Sequence, residues 1–288
     1  MIQSMTGYAT VVRELPQGTL TLELRSVNSR FLDLQFRIVD DLRAVEPSLR
    51  ERITARIARG KVDCRMSYTP APLAQLDAPL NVEAIKRLGQ QSELIRRYLP
   101  DAAPLRVVDV LRWPGVMGED TGADEALYAA AAEAVEHALD ELTAARRREG
   151  DKLKRMILER VNAIRERLRA LEPLIPESIA AYQEKLSAKL REVLASADED
   201  RIRQEIAVYG VKIDVAEELS RLAAHLDEVE RVLEQGGPVG KRLDFLMQEL
   251  NREANTLGSK SVSKELSDAA LEFKLLIEQM REQVQNIE

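Results

Sequence analysis

The stretch KRLDFLMQELNREANTLGSKS, residues 241–261, reads as a helix whose sides carry different chemistry. At about 100° per residue, Leu243, Leu246, Leu250 and Ala254 fall on one stripe, which predicts a buried face. Asp244, Gln248, Asn251 and Asn255 recur at offsets of four, seven and eleven and form a polar column beside that stripe. Glu249 and Glu253 project together on the other flank, with Arg252 close by. An ordinary surface helix scatters Lys, Glu and Ala. Here amides, carboxylates and a guanidinium are grouped, so the helix is read as a packing element that also presents specific polar chemistry.

The preceding helical stretch, VKIDVAEELSRLAAHLDEV at 211–229, repeats the plan. Val215, Leu219, Leu222, Leu226 and Val229 make the apolar face, and Asp214, Glu218, Arg221 and His225 share one edge. The short GGPVG link at 236–240 predicts that the two helices pack against each other, so carboxylates of one could meet the imidazole of the other. On the last helix, Leu266, Ala270, Phe273, Ile277, Met280, Val284 and Ile287 form a third stripe. Residues 199–288 therefore read as three helices divided by GGPVG and LGSKS.

Upstream, helical spacing begins near residue 123 and continues through Leu153, Ile157, Val161, Ile164 and Leu168 until Pro173 and Pro176 interrupt it. The N-terminal part alternates instead. TLTLELRSV (19–27) and RFLDLQFRI (30–38) read as half-buried antiparallel strands, with VNSR suited to a hairpin between them, and KVDCRMSY (61–68) repeats the alternation. Residues 41–58 and 82–98 read as helices, and TPAPLAQLDAPLN (69–81) as a loop. The fold class is α+β: an N-terminal α+β domain at 1–122, a long helical connecting region at 123–198 and a C-terminal helical domain at 199–288.

Composition agrees with a helix-rich protein: 45% hydrophobic, 32% charged and only 4% aromatic among 288 residues. The formal charge of −7 argues against a general polyanion binder, yet residues 141–169 carry ten Lys or Arg against five acids. A basic lane of that kind, where it meets a polyanion, predicts affinity that falls steeply with salt. The single cysteine, Cys64, excludes an internal disulfide and a multi-cysteine zinc site. With no leader pattern and no apolar run long enough to span a bilayer, the expectation is a cytoplasmic protein with no membrane association.

Two chemistries suit the facing edges. Asp214, Glu218, Glu249 and Glu253 are candidate ligands for a hard divalent cation, Mg²⁺ or Mn²⁺, which prefers oxygen donors and keeps waters for a phosphate. Alternatively His225, with Glu249 and Glu253, could serve as an acid/base group, because an imidazole changes charge near neutral pH. Arg221, Arg252 and Lys260 could neutralise phosphate, and the amides, including Asn255, could orient it. The structural alternatives are helix-supporting ion pairs, a satisfied histidine, interhelical register networks and a solvated basic face. No Walker loop, dinucleotide fingerprint, HExxH or GxSxG is present.

The segments SMTGYA, LRSVNSRFLDL, RGKV, LRWPGV, RRREGDKL, DVAEELSRLAAHL and VGKRLDFLMQELNREANTLGSKS stand in order along the chain, followed by KLLIEQMREQVQNIE. Together they resemble the YicC/YloC-like endoribonuclease family over essentially its whole length. One departure is visible, with Ala9 and Thr10 standing where the family has a Gly and a basic residue. The resemblance implies a metal-dependent endoribonuclease that cuts single-stranded or hairpin RNA, forms a ring-like hexamer with an RNA channel, and associates with RNA-decay machinery. RNA phosphates are then expected to meet Arg30, Arg59 and Lys61. A non-catalytic oligomeric RNA-binding scaffold or adaptor is the alternative, separated from the enzyme by multiple turnover.

Overall fold

The structure is a computed structural model that describes residues 1–71, 80–117, 121–193 and 199–288. Most of the 69–81 loop and the boundary at 198 lie outside the described residues. The chain forms two compact units, residues 8–142 and residues 1–7 with 143–288.

The first unit is built on a four-stranded mixed sheet. Its strands are β1 (Gly7–Leu15), β2 (Gly18–Val27), β3 (Leu32–Ile38) and β4 (Gly60–Pro70), in the order β1-β2-β4-β3. Alternation puts Leu20, Leu22 and Leu24 of β2 and Val62, Cys64 and Met66 of β4 into the core. Against this face lie Leu49 and Ile53 of α1 (Glu46–Arg56) and Leu127, Val135, Leu139 and Leu142 of the first part of α4 (Thr121–Leu171). Ala131, Ala134 and Ala138 add small contacts that let the helix backbone come near the sheet.

The hairpin expected between β2 and β3 does not form. β4 runs antiparallel to β2 and parallel to β3, so it lies between them. The physical reason is the crossover through α1: a helical return delivers a strand parallel to β3, and the free edge of β3 is where it pairs. Residues 28–31 therefore arch past the beginning of β4, where Lys61 is the register partner of both Val27 and Asp33. Gly60 makes that close passage possible. Its φ is +113°, and a Cβ there would sit 3.2 Å from the Val27 carbonyl oxygen. Two further helices, α2 (Val82–Tyr98) and α3 (Val107–Leu111), precede α4.

The second unit is helical. It contains the remainder of α4, then α5 (Leu174–Val193), α6 (Glu199–Ile213), α7 (Ala216–Gln235), α8 (Gly240–Lys260) and α9 (Lys264–Val284). The apolar stripes read from α7, α8 and α9 converge on Ile157, Val161 and Ile164 of α4 in one core. The stretch expected to be one helix across residue 214 is broken there. Asp214 Oδ1 accepts the Ala216 backbone N–H at 3.0 Å, a local bond that competes with helix continuation, and α7 starts afresh. Among the described residues no helix is long and apolar enough to cross a membrane.

The opening residues complete this unit. Ser4 N–H donates to the Arg146 carbonyl at 3.0 Å, Met5 N–H to the Asn286 carbonyl at 2.8 Å, and Thr6 Oγ1 to Glu149 at 2.8 Å. Arg146, 4% exposed, donates to the Ser4 carbonyl and to the Glu288 carboxylate. Gly150 allows this approach, because a Cβ there would fall 2.3 Å from the Ile2 carbonyl oxygen. The SMTG and RRREG segments thus clasp one another.

Candidate active site on facing helix edges

The α7–α8 turn is sharp enough to fold the two helices together because Gly236 and Gly237 both take positive φ. With Leu222, Leu226 and Val229 of α7 and Leu246, Leu250, Ala254 and Leu257 of α8 in the core, the edges beside those stripes face each other. His225, Glu249 and Glu253 meet there, with one ligand-capable atom from each lying within 4.8 Å of the others. Glu253 is 3% exposed, while His225 and Glu249 are half-buried.

Cations border this group. Arg221 Nη1 is 3.5 Å from Glu253 Oε1, and Arg252 Nη1 is 3.9 Å from Glu249 Oε2. No hydrogen bond engages His225 among the described residues, so its ring is not spent on a structural partner. The buried Glu253 carboxylate has the Arg221 guanidinium at ion-pair distance, and an imidazole and a second carboxylate beside it complete a mixed nitrogen and oxygen donor set. The two carboxylates of that set suit a hard cation such as Mn²⁺ or Mg²⁺, whereas an imidazole nitrogen is not a donor that Mg²⁺ prefers.

Asp214 and Glu218 are engaged elsewhere. Asp214 accepts the Ala216 N–H just before α7, and Glu218 pairs with Lys260, whose Nζ lies 2.8 Å from Glu218 Oε1 and 3.0 Å from the Asp214 carbonyl. Glu218 Oε2 is buried without a hydrogen-bond partner among the described residues. The amide column of α8 divides: Gln248 donates to Asp244 at 2.9 Å, and Asp244 lies 3.9 Å from Arg281 of α9, so this end faces a neighbouring helix. Asn255 is exposed. The basic lane is partly structural too. Arg146 is in the clasp, Arg165 pairs with Asp227 and Glu230 of α7, and Arg167 pairs with Glu272 of α9.

A family model described as Endoribonuclease YicC-like, N-terminal region, matches residues 2–155, and one described as Endoribonuclease YicC-like, C-terminal, matches residues 171–288. The chain belongs to the YicC-like endoribonuclease family. Among curated relatives, a protein of Haemophilus influenzae named probable endoribonuclease YicC is 36% identical over 288 residues, covering the whole of both chains. A protein of Clostridioides difficile with the same name is 28% identical over 302 residues, again across both full lengths. The YicC-like C-terminal match contains all of α7, α8 and α9, and with them the His225, Glu249 and Glu253 group.

The YicC-like N-terminal match contains Arg30, Arg59 and Lys61. Arg59 Nε donates to the Ser29 carbonyl at 2.9 Å, and the Arg30 guanidinium lies 5.3 Å from the centre of the Phe31 ring. Two side chains beside these residues were not visible in periodicity. Glu217 holds the far nitrogen of Arg221 at 2.5 Å, and Phe31 is an exposed aromatic beside the basic residues. An i,i+4 Glu–Arg spacing signals the first, and an aromatic at the mouth of a polar connection signals the second.

Proposed function

We propose that this chain is an endoribonuclease that cuts phosphodiester bonds in single-stranded or hairpin RNA with a divalent cation, Mg²⁺ or Mn²⁺. The observation that carries the site assignment is the convergence of His225, Glu249 and Glu253 within 4.8 Å across two helices. The names of the relatives support RNA as the substrate. His225, Glu249 and Glu253 would hold the cation, which when bound polarises a phosphate oxygen and makes a bound water more acidic.

Cleavage requires a hydroxyl or water oxygen to bond to phosphorus, lose its proton, and displace a ribose oxygen that gains one. A donor atom that holds the cation gives up its lone pair to it, so His225 would take that proton where Glu249 and Glu253 alone hold the cation. Arg221 and Arg252 border the carboxylates and offer N–H donors to the non-bridging oxygens as charge builds on them. Lys260, tied to Glu218 and to the α7 start, supports the helix pair. Arg30, Arg59 and Lys61 engage RNA from the sheet-bearing unit, and Asn255 does so from the exposed side of α8. The working form is a cytoplasmic homo-oligomer, a hexameric ring associated with RNA-decay machinery.

The test is multiple turnover on excess RNA, with and without Mn²⁺, Mg²⁺ and a chelator, alongside Mn²⁺ binding followed by electron paramagnetic resonance. Glu249→Gln and Glu253→Gln are each expected to lower cleavage by roughly 100-fold or more while weakening Mn²⁺ binding. Wild-type rates in folded, assembled variants would remove these carboxylates from the chemistry. Stoichiometric RNA binding without new ends would favour the scaffold.

A further inference from the structure

We propose that residues 28–31 form a stacking contact for an unpaired nucleobase of RNA, with the Phe31 ring as platform and Arg30, Arg59 and Lys61 meeting the adjoining phosphates. This deepens the reading above and rests on it for the identity of the substrate.

The first argument is exposure. Phe31 is 71% exposed, whereas Leu32, Leu34 and Phe36, which follow it on β3, pack against the core of their unit. The fold has not used this ring for its own packing. An exposed aromatic offers a π-face to any base, and stacking of this kind tolerates every sequence but needs the base to be out of a duplex.

The second is the local charge. Arg30, Arg59 and Lys61 surround the segment, and Asp33 is the acid within 28–33 and 59–61, although the whole chain carries −7. The Arg30 guanidinium lies 5.3 Å from the ring centre, within cation–π range, and it covers one face while leaving the other for a base. A guanidinium so placed reaches a phosphate while stiffening the ring it covers.

The third is rigidity. Arg59 Nε–H holds the Ser29 carbonyl at 2.9 Å, Gly60 passes under the Val27 carbonyl, and the ladder fixes Val27 and Asp33 on Lys61. The ring therefore stands on an arch pinned at both ends, so little conformational freedom is lost when a base docks.

The experiment is fluorescence anisotropy of a labelled single-stranded RNA and of a blunt duplex of the same length, with the full chain and a chelator present to stop cleavage. Phe31→Leu and Phe31→Ala are expected to weaken single-strand binding by roughly tenfold and to leave duplex binding nearly unchanged, while Phe31→Trp stays close to wild type. Lys61→Met should lower the salt slope by about one, as a lost phosphate contact does. Phe31→Leu that binds single strands as wild type does, in a protein whose cleavage depends on Glu249 and Glu253, overturns this proposal and leaves the enzyme reading standing. A change of mass by light scattering in Phe31→Leu overturns it in favour of a second copy of the chain on this surface. Wild-type protein that binds neither RNA overturns both.

Discussion

The guanidinium of Arg221, 53% exposed, lies 3.5 Å from the carboxylate of Glu253, which is almost wholly buried, and hydrogen-bonds Glu217 with its other terminal nitrogen. Arg221 thus neutralises in part the same oxygen donor that a cation at His225, Glu249 and Glu253 would use. Arg221→Met is expected to tighten Mn²⁺ binding by about two- to fivefold, the scale of a partly exposed pair, and to raise KM for RNA. Arg221→Lys should fall between. Titration by electron paramagnetic resonance beside steady-state kinetics measures both; unchanged metal affinity would show that the two cations do not compete.

Lys260 and Glu218 predict a stability effect separate from cleavage chemistry. Glu218 is 6% exposed, with one oxygen on Lys260 and the other already without a partner. Lys260→Met should cost about 2 kcal/mol in urea unfolding, because it leaves a buried carboxylate uncompensated. Glu218→Met combined with Lys260→Met should recover most of that loss. Equal destabilisation in single and double variants would mean that the pair is not coupled.

The clasp at Arg146 makes a second such test. Glu288→Ala removes the ion-pair partner of Arg146 and leaves its hydrogen bond to the Ser4 carbonyl. A loss of about 2 kcal/mol is expected, with a fall in thermal midpoint of a few degrees. Arg146→Met should be milder than Arg146→Glu, which would place a carboxylate beside Glu288. If Glu288→Ala melts with wild type, the clasp does not depend on this ion pair.

Cys64 gives a pH prediction. Burial, with a smaller contribution from the Glu46 carboxylate, pushes its thiol from an ordinary 9.0 up to about 12. The folded state therefore keeps its proton where the unfolded state loses it, so this group's contribution is full below about pH 9 and falls as pH rises toward 12. Native protein should be silent to a disulfide reagent at pH 8 and react with one thiol per chain in denaturant. Cys64→Ala should flatten the alkaline slope of stability. Rapid reaction of the native thiol would contradict its burial.

What was legible in the sequence follows the range of the interactions. The stripes of α7, α8 and α9 were readable because each is fixed by local periodicity, and the short glycine-rich turn then brought His225 to Glu249 and Glu253 with little freedom of choice. Asp214 escaped the same logic because one side-chain bond to Ala216 outweighs helical continuity. The order of strands was hidden for a different reason. Alternation says which side chains face inward but carries nothing about neighbours, so β4 between β2 and β3 had no local signature. Arg165 and Arg167 looked like a basic face because their acid partners, on α7 and α9, are distant in sequence.

The clasp also bears on how the chain matures. Residues 1–7 are made before the sheet-bearing unit yet belong to the unit finished by residues 143–288, where Ser4 bridges Ile287 and Met5 meets Asn286. On a translating ribosome the sheet-bearing unit has all its residues while the opening segment still waits for its partners, and closing so long a loop has an entropic cost. The helical unit is expected to acquire protease resistance last, in one late step that seals both ends of its sequence together.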